Sequence, residues 1–184
     1  MSHLEEVVLV DEHDTVLGTV EKITAHKEAL LHRAFSVFLF RDSSNGWELL
    51  LQKRSSDKYH CGGLWTNTCC SHPRLHEDIL AAGQRRLVEE LGIKAPLKHL
   101  GGFVYKTLFD NGLTEHEWDH VLVGLYQEQP TDFNRDEVEE LAWVSLVQLQ
   151  KDLIDFPQHY TPWLPLALAY AMEHPEGLNR LKDS

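Results

Sequence analysis

Apolar and polar positions alternate first over residues 7–10 and 16–20, two branched-residue runs flanking Asp11-Glu12-His13-Asp14, a pattern that predicts a hairpin. The runs AFSVFLFR (34–41) and WELLLQK (47–53) predict two longer strands of aromatic and branched residues, joined by the turn-forming Asp42-Ser43-Ser44-Asn45-Gly46. Residues 77–91 predict a helix, with acids in its first turn and Gly92 after its last, both favourable to its dipole and its termination. Further strands are predicted at 97–107, 118–126 and 141–144, and short helices at 146–153 and 163–173. Thr161 and Pro162 supply N-cap and N1 for the last helix. Strands interrupted by a few helices predict an α+β fold, on an antiparallel plan, of mixed or antiparallel sheets flanked by helices. No repeat, low-complexity tract or linker divides the chain, so residues 1–184 are expected to form a single domain.

Composition narrows this picture. The 184 residues suffice for one domain with a sizeable core, and 42% of them are apolar, as in an ordinary soluble protein. The formal charge of −12 argues against nucleic acid or an anionic membrane as partner, since the long-range field repels both. A small anionic substrate stays open if basic residues gather locally. No apolar run reaches the ~18 residues of a membrane span, and the acidic N-terminal stretch is unlike a signal peptide. Three cysteines, two of them adjacent, make no disulfide framework. A reduced, cytoplasmic protein is expected, as a monomer or a homodimer.

Three segments carry candidate chemistry. In Trp65-Thr66-Asn67-Thr68-Cys69-Cys70-Ser71-His72-Pro73, an extended chain turns Thr68, Cys70 and His72 one way and Cys69 the other. A thiol beside an imidazole suits proton transfer, and it also suits metal ligation. Cys61 and Cys69 read as small packed residues. In Thr114-Glu115-His116-Glu117-Trp118 the two carboxylates share a face and His116 points away, although an acidic loop is commonly just solvated. His26 and His32, read as loop residues, join His72, Glu115 and Glu117 in a set of three imidazoles and two carboxylates. Such N/O donors suit a divalent metal, Zn²⁺ or Mn²⁺. On the helix over 77–91, Arg86, Glu89 and Glu90 stand at i, i+3 and i+4 and share one face.

That helix resembles the second part of a Nudix box, in which a Gly and a spaced Glu precede Arg-Glu-x-x-Glu-Glu-x-Gly. Aligning Arg85, Glu89, Glu90 and Gly92 places Glu77 at the early Glu, Ser71 at the Gly and Arg86 at the first Glu of the later run. One of three metal-holding carboxylates has thus become a cation. His26 and His32 before Ala-Phe-Ser, the block Trp65-Thr66-Asn67 to Cys70-x-His72-Pro73, and Glu115-x-Glu117 together resemble the type I isopentenyl-diphosphate isomerases, Nudix-fold enzymes with a broken Nudix box. The resemblance spans roughly residues 22–163. It implies His26, His32, His72, Glu115 and Glu117 as ligands of one Zn²⁺ or Mn²⁺, with Glu90 on a Mg²⁺ that arrives with the substrate diphosphate. Cys70 and Glu117 would be the acid–base pair, with Tyr105 hydrogen-bonded near Glu117. Lys22, Arg54, Lys58 and Arg86 would hold the diphosphate, and Trp163 would face the hydrocarbon.

These implications fit the chemistry. Moving the double bond of isopentenyl diphosphate adds a proton at one carbon and removes one two carbons away, from opposite sides. Two groups must therefore flank a flat hydrocarbon. Positive charge builds on a tertiary carbon, which an indole face stabilises once water is excluded. Arg86 turns a hydrolytic surface into a phosphate clamp. Two rivals remain at this stage. One is an ordinary Nudix pyrophosphohydrolase, against which Arg86 counts. The other is a non-catalytic domain whose His, Cys and Glu residues hold a structural metal. A flavin-dependent isomerase is not expected, since no Gly-rich or TIM-barrel pattern is present.

Overall fold

The computed structural model describes residues 4–58 and 60–174. Its elements in chain order are strands β1 (Glu6–Val10) and β2 (Val16–Glu21), helix α1 (Lys22–Lys27), strands β3 (His32–Ser43), β4 (Gly46–Arg54), β5 (Trp65–Thr66) and β6 (Cys69–Ser71), and helix α2 (Ile79–Leu91). Strands β7 (Lys98–Leu108), β8 (Thr114–Leu125) and β9 (Val138–Ser145), then helices α3 (Leu146–Asp155) and α4 (Trp163–Glu173) with a 3₁₀ turn (Pro157–His159) between them, complete it.

Strand β3 organises the molecule. One of its edges pairs with β8 from His32↔Glu117 to Phe40↔Leu125; the other pairs with β6 over Phe35–Val37 and with β4 from Phe40 to Ser43. The β3–β8 pairing is parallel, a departure from a purely antiparallel plan that falls within the mixed sheets also expected from the sequence. These strands are joined by a long crossover rather than a tight turn, so no hairpin geometry forces them antiparallel. The sheet is therefore mixed. The predicted hairpin β1–β2 and the turn-joined pair β3–β4 are antiparallel, and so is the pair β7–β8.

Both faces of β3 are buried over residues 34–40, which is why that stretch is apolar at every position but Ser36. Phe35, Val37 and Leu39 pack with Leu50, Leu122 and the α2 residues Ala82, Leu87 and Leu91. Phe38 and Phe40 pack on the other side with Leu49, Val121, Val123 and the α4 residues Leu164, Ala167, Leu168 and Ala171. Helix α2 lies close against the sheet at Gly83, where an added Cβ would stand 2.6 Å from Leu122 Cδ1.

Three local expectations change. Helix α2 begins at Ile79, with no acid in its first turn: Asp78 caps it by accepting from Ala81 N at 3.1 Å. Glu77 stays outside the helix and is bound by Arg85 at 2.8 and 3.0 Å. Gly92 ends α2 in the left-handed region, φ 65°, as expected. The Thr161 hydroxyl does not cap α4; it bonds Thr66 Oγ1 at 2.8 Å, and the cap position falls on Pro162. His26 is not in a loop but in α1, a six-residue helix whose entry is capped by the Glu21 carboxylate on Ile23 N.

Candidate active site

Three segments converge on Glu117 at the start of the β3–β8 pairing. Helix α1 brings His26, whose Nδ1 donates to Lys22 O at 2.7 Å. His32 opens β3, with Nδ1 donating to Leu30 O at 2.9 Å. Backbone carbonyls thus fix the proton on Nδ1 of each ring and leave Nε2 as the lone-pair donor, the arrangement that orients metal-ligating histidines. His32 Nε2 has no hydrogen-bond partner although it is buried, and it lies 3.5 Å from Glu117 Oε1. His72, just after β6, places Nε2 3.3 Å from the same oxygen. Glu115 and Glu117 are both buried on β8, while His116 turns away to Ala29 O.

Two overlapping groups have ligand atoms within 4.8 Å of one another: His26, His32 and Glu117, and His26, His60 and Glu115. Among buried polar atoms, Glu115 Oε2 also lacks a hydrogen-bond partner. Lone pairs buried and converging without donors fit a divalent cation, and the residues present accept one. Burial lowers the imidazoles, His72 to about 4 and His60 to about 3, so these rings are neutral at pH 7, as ligands must be. Burial acts first on the carboxylates as well. It raises Glu115 well above the usual range, with the Glu117 charge adding to it. For Glu117 it is outweighed by the neighbouring Glu115 carboxyl and the close approach of the His32 and His72 rings, which hold that group well below the range. Charge therefore resides on Glu117.

Cys70 faces the same cavity. Its thiol donates to Asn67 Oδ1 at 3.0 Å, and Trp163 Nε1 donates to its sulfur at 3.1 Å. The Asn67 amide cannot turn, because its Nδ2 donates to Val37 O at 3.1 Å and Cys69 O at 3.0 Å. Burial, with the charge of Asp119, pushes the thiol up to about 12. Cys69 points to the α2 core, as alternation predicts, and is inaccessible. Thr68 departs from the expected facing: its hydroxyl is spent inside the sheet, donating to Leu50 O at 2.6 Å and accepting from Leu39 N at 2.9 Å. Tyr105 donates to Glu117 Oε2 at 3.4 Å from behind.

A cavity of about 420 Å³ joins these groups. Lys22, Arg54, Lys58, Arg86 and Glu90 line it with Cys70, His72, Glu115, Glu117 and Trp163; His26, His32 and Tyr105 lie beneath. The Arg54 guanidinium sits 5.3 Å over the Trp163 ring. The basic wall is partly neutralised. Arg86 binds Glu89 at 2.6 Å, Glu90 at 2.6 Å and Glu137 at 2.9 Å, and Lys58 lies 3.8 Å from Glu137. Burial works against the Arg86 charge, and Glu90 and Glu137 more than restore it. Gln52 donates to Glu90 Oε2 at 3.1 Å and fixes the carboxylate from the sheet side.

Three site residues escaped the sequence reading. His60 stands in a loop with no spacing to any motif. Asp119 continues the i, i+2 series of Glu115 and Glu117, a signal that was present; it is buried, accepts from Ser36 Oγ at 2.8 Å, and its Oδ1 has no hydrogen-bond partner. Glu137 carries no local signal.

Comparison with known proteins places this geometry. Residues 30–164 match the NUDIX domain family. A Photobacterium profundum protein named isopentenyl-diphosphate Delta-isomerase is 48% identical over 91% of this chain and 94% of its own length. An Aliivibrio fischeri protein of the same name is 41% identical, covering 95% of this chain and 99% of its own. A solved structure from Deinococcus radiodurans superposes with a TM-score of 0.71 at 20% identity, covering 91% of this chain and 98% of its own. A MutT NUDIX hydrolase from Burkholderia pseudomallei superposes at 0.57 and 24%, over 76% and 97%. These two likenesses speak for the fold alone. The NUDIX match over residues 30–164, and relatives this similar over nearly their whole length, make the chain a member of the Nudix isopentenyl-diphosphate Delta-isomerase family.

Proposed function

We propose that the chain interconverts isopentenyl and dimethylallyl diphosphate by an antarafacial 1,3-proton shift in which Cys70 and Glu117 are the two acid–base groups, in isoprenoid biosynthesis. The observation that carries this reading is their placement on β6 and β8, strands on opposite edges of β3, with both side chains on one cavity. One group gives a proton to the terminal carbon while the other takes one from the carbon two bonds away. The reverse reaction exchanges the roles. After each turnover the donor is left without its proton and the acceptor with one extra, and exchange with solvent restores both.

Asn67 and Trp163 hold the Cys70 sulfur in place, and Tyr105 holds one oxygen of Glu117. The Trp163 indole, enclosed by the pocket, stabilises positive charge on the tertiary carbon by ~1–2 kcal/mol. The diphosphate lies toward Lys22, Arg54, Lys58 and Arg86. Because Glu89, Glu90 and Glu137 share that wall, a diphosphate enters it only with a cation, and Glu90 would hold the Mg²⁺ that accompanies it. His26, His32, His72, Glu115 and Glu117 would hold one Zn²⁺ or Mn²⁺, whose charge would offset the buried carboxylates and orient Glu117. The chemistry needs no flavin. Among the described residues, no helix is long and apolar enough to cross a membrane. That fact and thiols outside any disulfide support a cytoplasmic protein. One domain holds the whole site, so a monomer or a homodimer serves equally.

Incubation with isopentenyl diphosphate and Mg²⁺ in deuterated water tests the reading. Deuterium should enter carbon of the allylic product. Phosphate release without deuterium in carbon would replace the isomerase with a hydrolase.

A further inference from the structure

His60 lies outside the five-residue ligand set, yet its place in the fold is that of a ligand. Its ring, buried like the others, sits 5.5 Å from that of His26, and its Nε2 lies 3.7 Å from Glu115 Oε2. That oxygen has no hydrogen-bond partner. The ligand atoms of His26, His60 and Glu115 lie within 4.8 Å of one another, as do those of His26, His32 and Glu117. His26 belongs to both groups, so the two describe one continuous donor surface.

The loop between β4 and β5 is built to hold the imidazole there. Gly63 N donates to Arg54 O at 2.9 Å, and Arg54 NH2 donates to the His60 carbonyl at 3.4 Å. Cys61 takes φ 54°, which turns the chain directly after His60. At Gly62 any side chain would meet Ser56 O at 2.8 Å. Phe109 packs against the ring with centroids 4.8 Å apart, leaving the Nε2 edge toward Glu115.

We infer that His60 is an additional protein ligand of the divalent-metal site, supplying a fourth imidazole beside Glu115. The inference rests on the metal-site reading given above and extends it to a residue outside that set. A fourth nitrogen donor shifts the preference of the site from Mg²⁺ or Mn²⁺ toward Zn²⁺. It also closes the side of the site toward Trp163, whose ring lies 6.1 Å from that of His60.

The test is Zn²⁺ binding by the metal-free full-length protein, measured against a competing chelating dye. His60→Gln should weaken Zn²⁺ binding on the order of 10- to 100-fold, and His32→Ala by at least as much. Mn²⁺ affinity of His60→Gln should fall less than its Zn²⁺ affinity. Wild-type affinity in His60→Gln, with loss in His32→Ala, would overturn the role of His60 and leave the five-residue set standing. Wild-type affinity in both variants would overturn the metal-site reading itself. Long-range ¹H–¹⁵N spectra of the wild type decide the matter even if a variant fails to fold. Four site imidazoles, His60 among them, should shift and lock on adding Zn²⁺; a His60 ring that does not respond would overturn the inference.

Discussion

Removing the Cys70 side chain takes away a thiol held between the Asn67 amide and the Trp163 indole on the cavity wall. Turnover of Cys70→Ala should fall by ~10²–10⁴-fold, the usual cost of one acid–base group. Cys69→Ala should keep most of its turnover and lose ~1 kcal/mol of stability, because Cys69 fills the α2 core. Steady-state rates and urea midpoints of the two variants separate these outcomes, and equal losses of rate would refute the assignment. Glu90→Gln removes charge from a carboxylate shared by Arg86 and Gln52. The Mg²⁺ concentration for half-maximal rate should rise, while metal retained after dialysis, read by elemental analysis, should not change.

Helix α2 shows how tightly elements are fitted. Gly83→Ala gains helix propensity of ~1 kcal/mol but drives a methyl into Leu122 and Leu97. Overpacking should win, for a net loss of ~1–2 kcal/mol read as a lower urea midpoint. A stabilised variant would mean that the helix lifts off without cost. The hairpins were legible because period-2 patterns and polar turns are local. Helix α1, with six residues, is too short for a 3.6-residue period to register, so His26 read as a loop residue. The parallel β3–β8 pairing joins segments about 85 positions apart, a relation no local pattern encodes. For the same reason the Cys70–Trp163 bond and the place of His60 came from tertiary structure, whereas the facing of Cys69, Cys70, Glu115 and Glu117 came from alternation. Arg86 was visible as a break in a spaced acidic motif, with Glu89 and Glu90 on its face; its third carboxylate partner, Glu137, was not.

Across the whole molecule, buried neutral histidines set the response to acid. His120 bridges His99 at 2.8 Å and Asp14 at 2.9 Å, and Asp14 in turn binds Arg33 at 2.8 Å. Burial lowers His120 to about 4, and His99 and Arg33 lower it further against the pull of Asp14. The unfolded chain, with its histidine near 6.5, takes up the proton first as pH falls. Stability is therefore full above pH ~6.5 and declines toward pH ~4, by on the order of 3 kcal/mol for this group. His72 and His60 add to the decline in metal-free protein. Urea midpoints at several pH values should show it, and His120→Asn should flatten the slope. An unchanged slope would assign the acid sensitivity elsewhere.

Helix α4 gives this architecture a history as well as a shape. It covers Phe38, Phe40, Val121 and Val123, and its first residue, Trp163, closes the pocket over Cys70. It is also the last described helix to be synthesised. A ribosome-bound chain ending after β9 would carry every donor of the metal set but an uncovered apolar sheet face. Such a nascent chain is a client for chaperones, and it acquires an enclosed reaction chamber only when α4 docks.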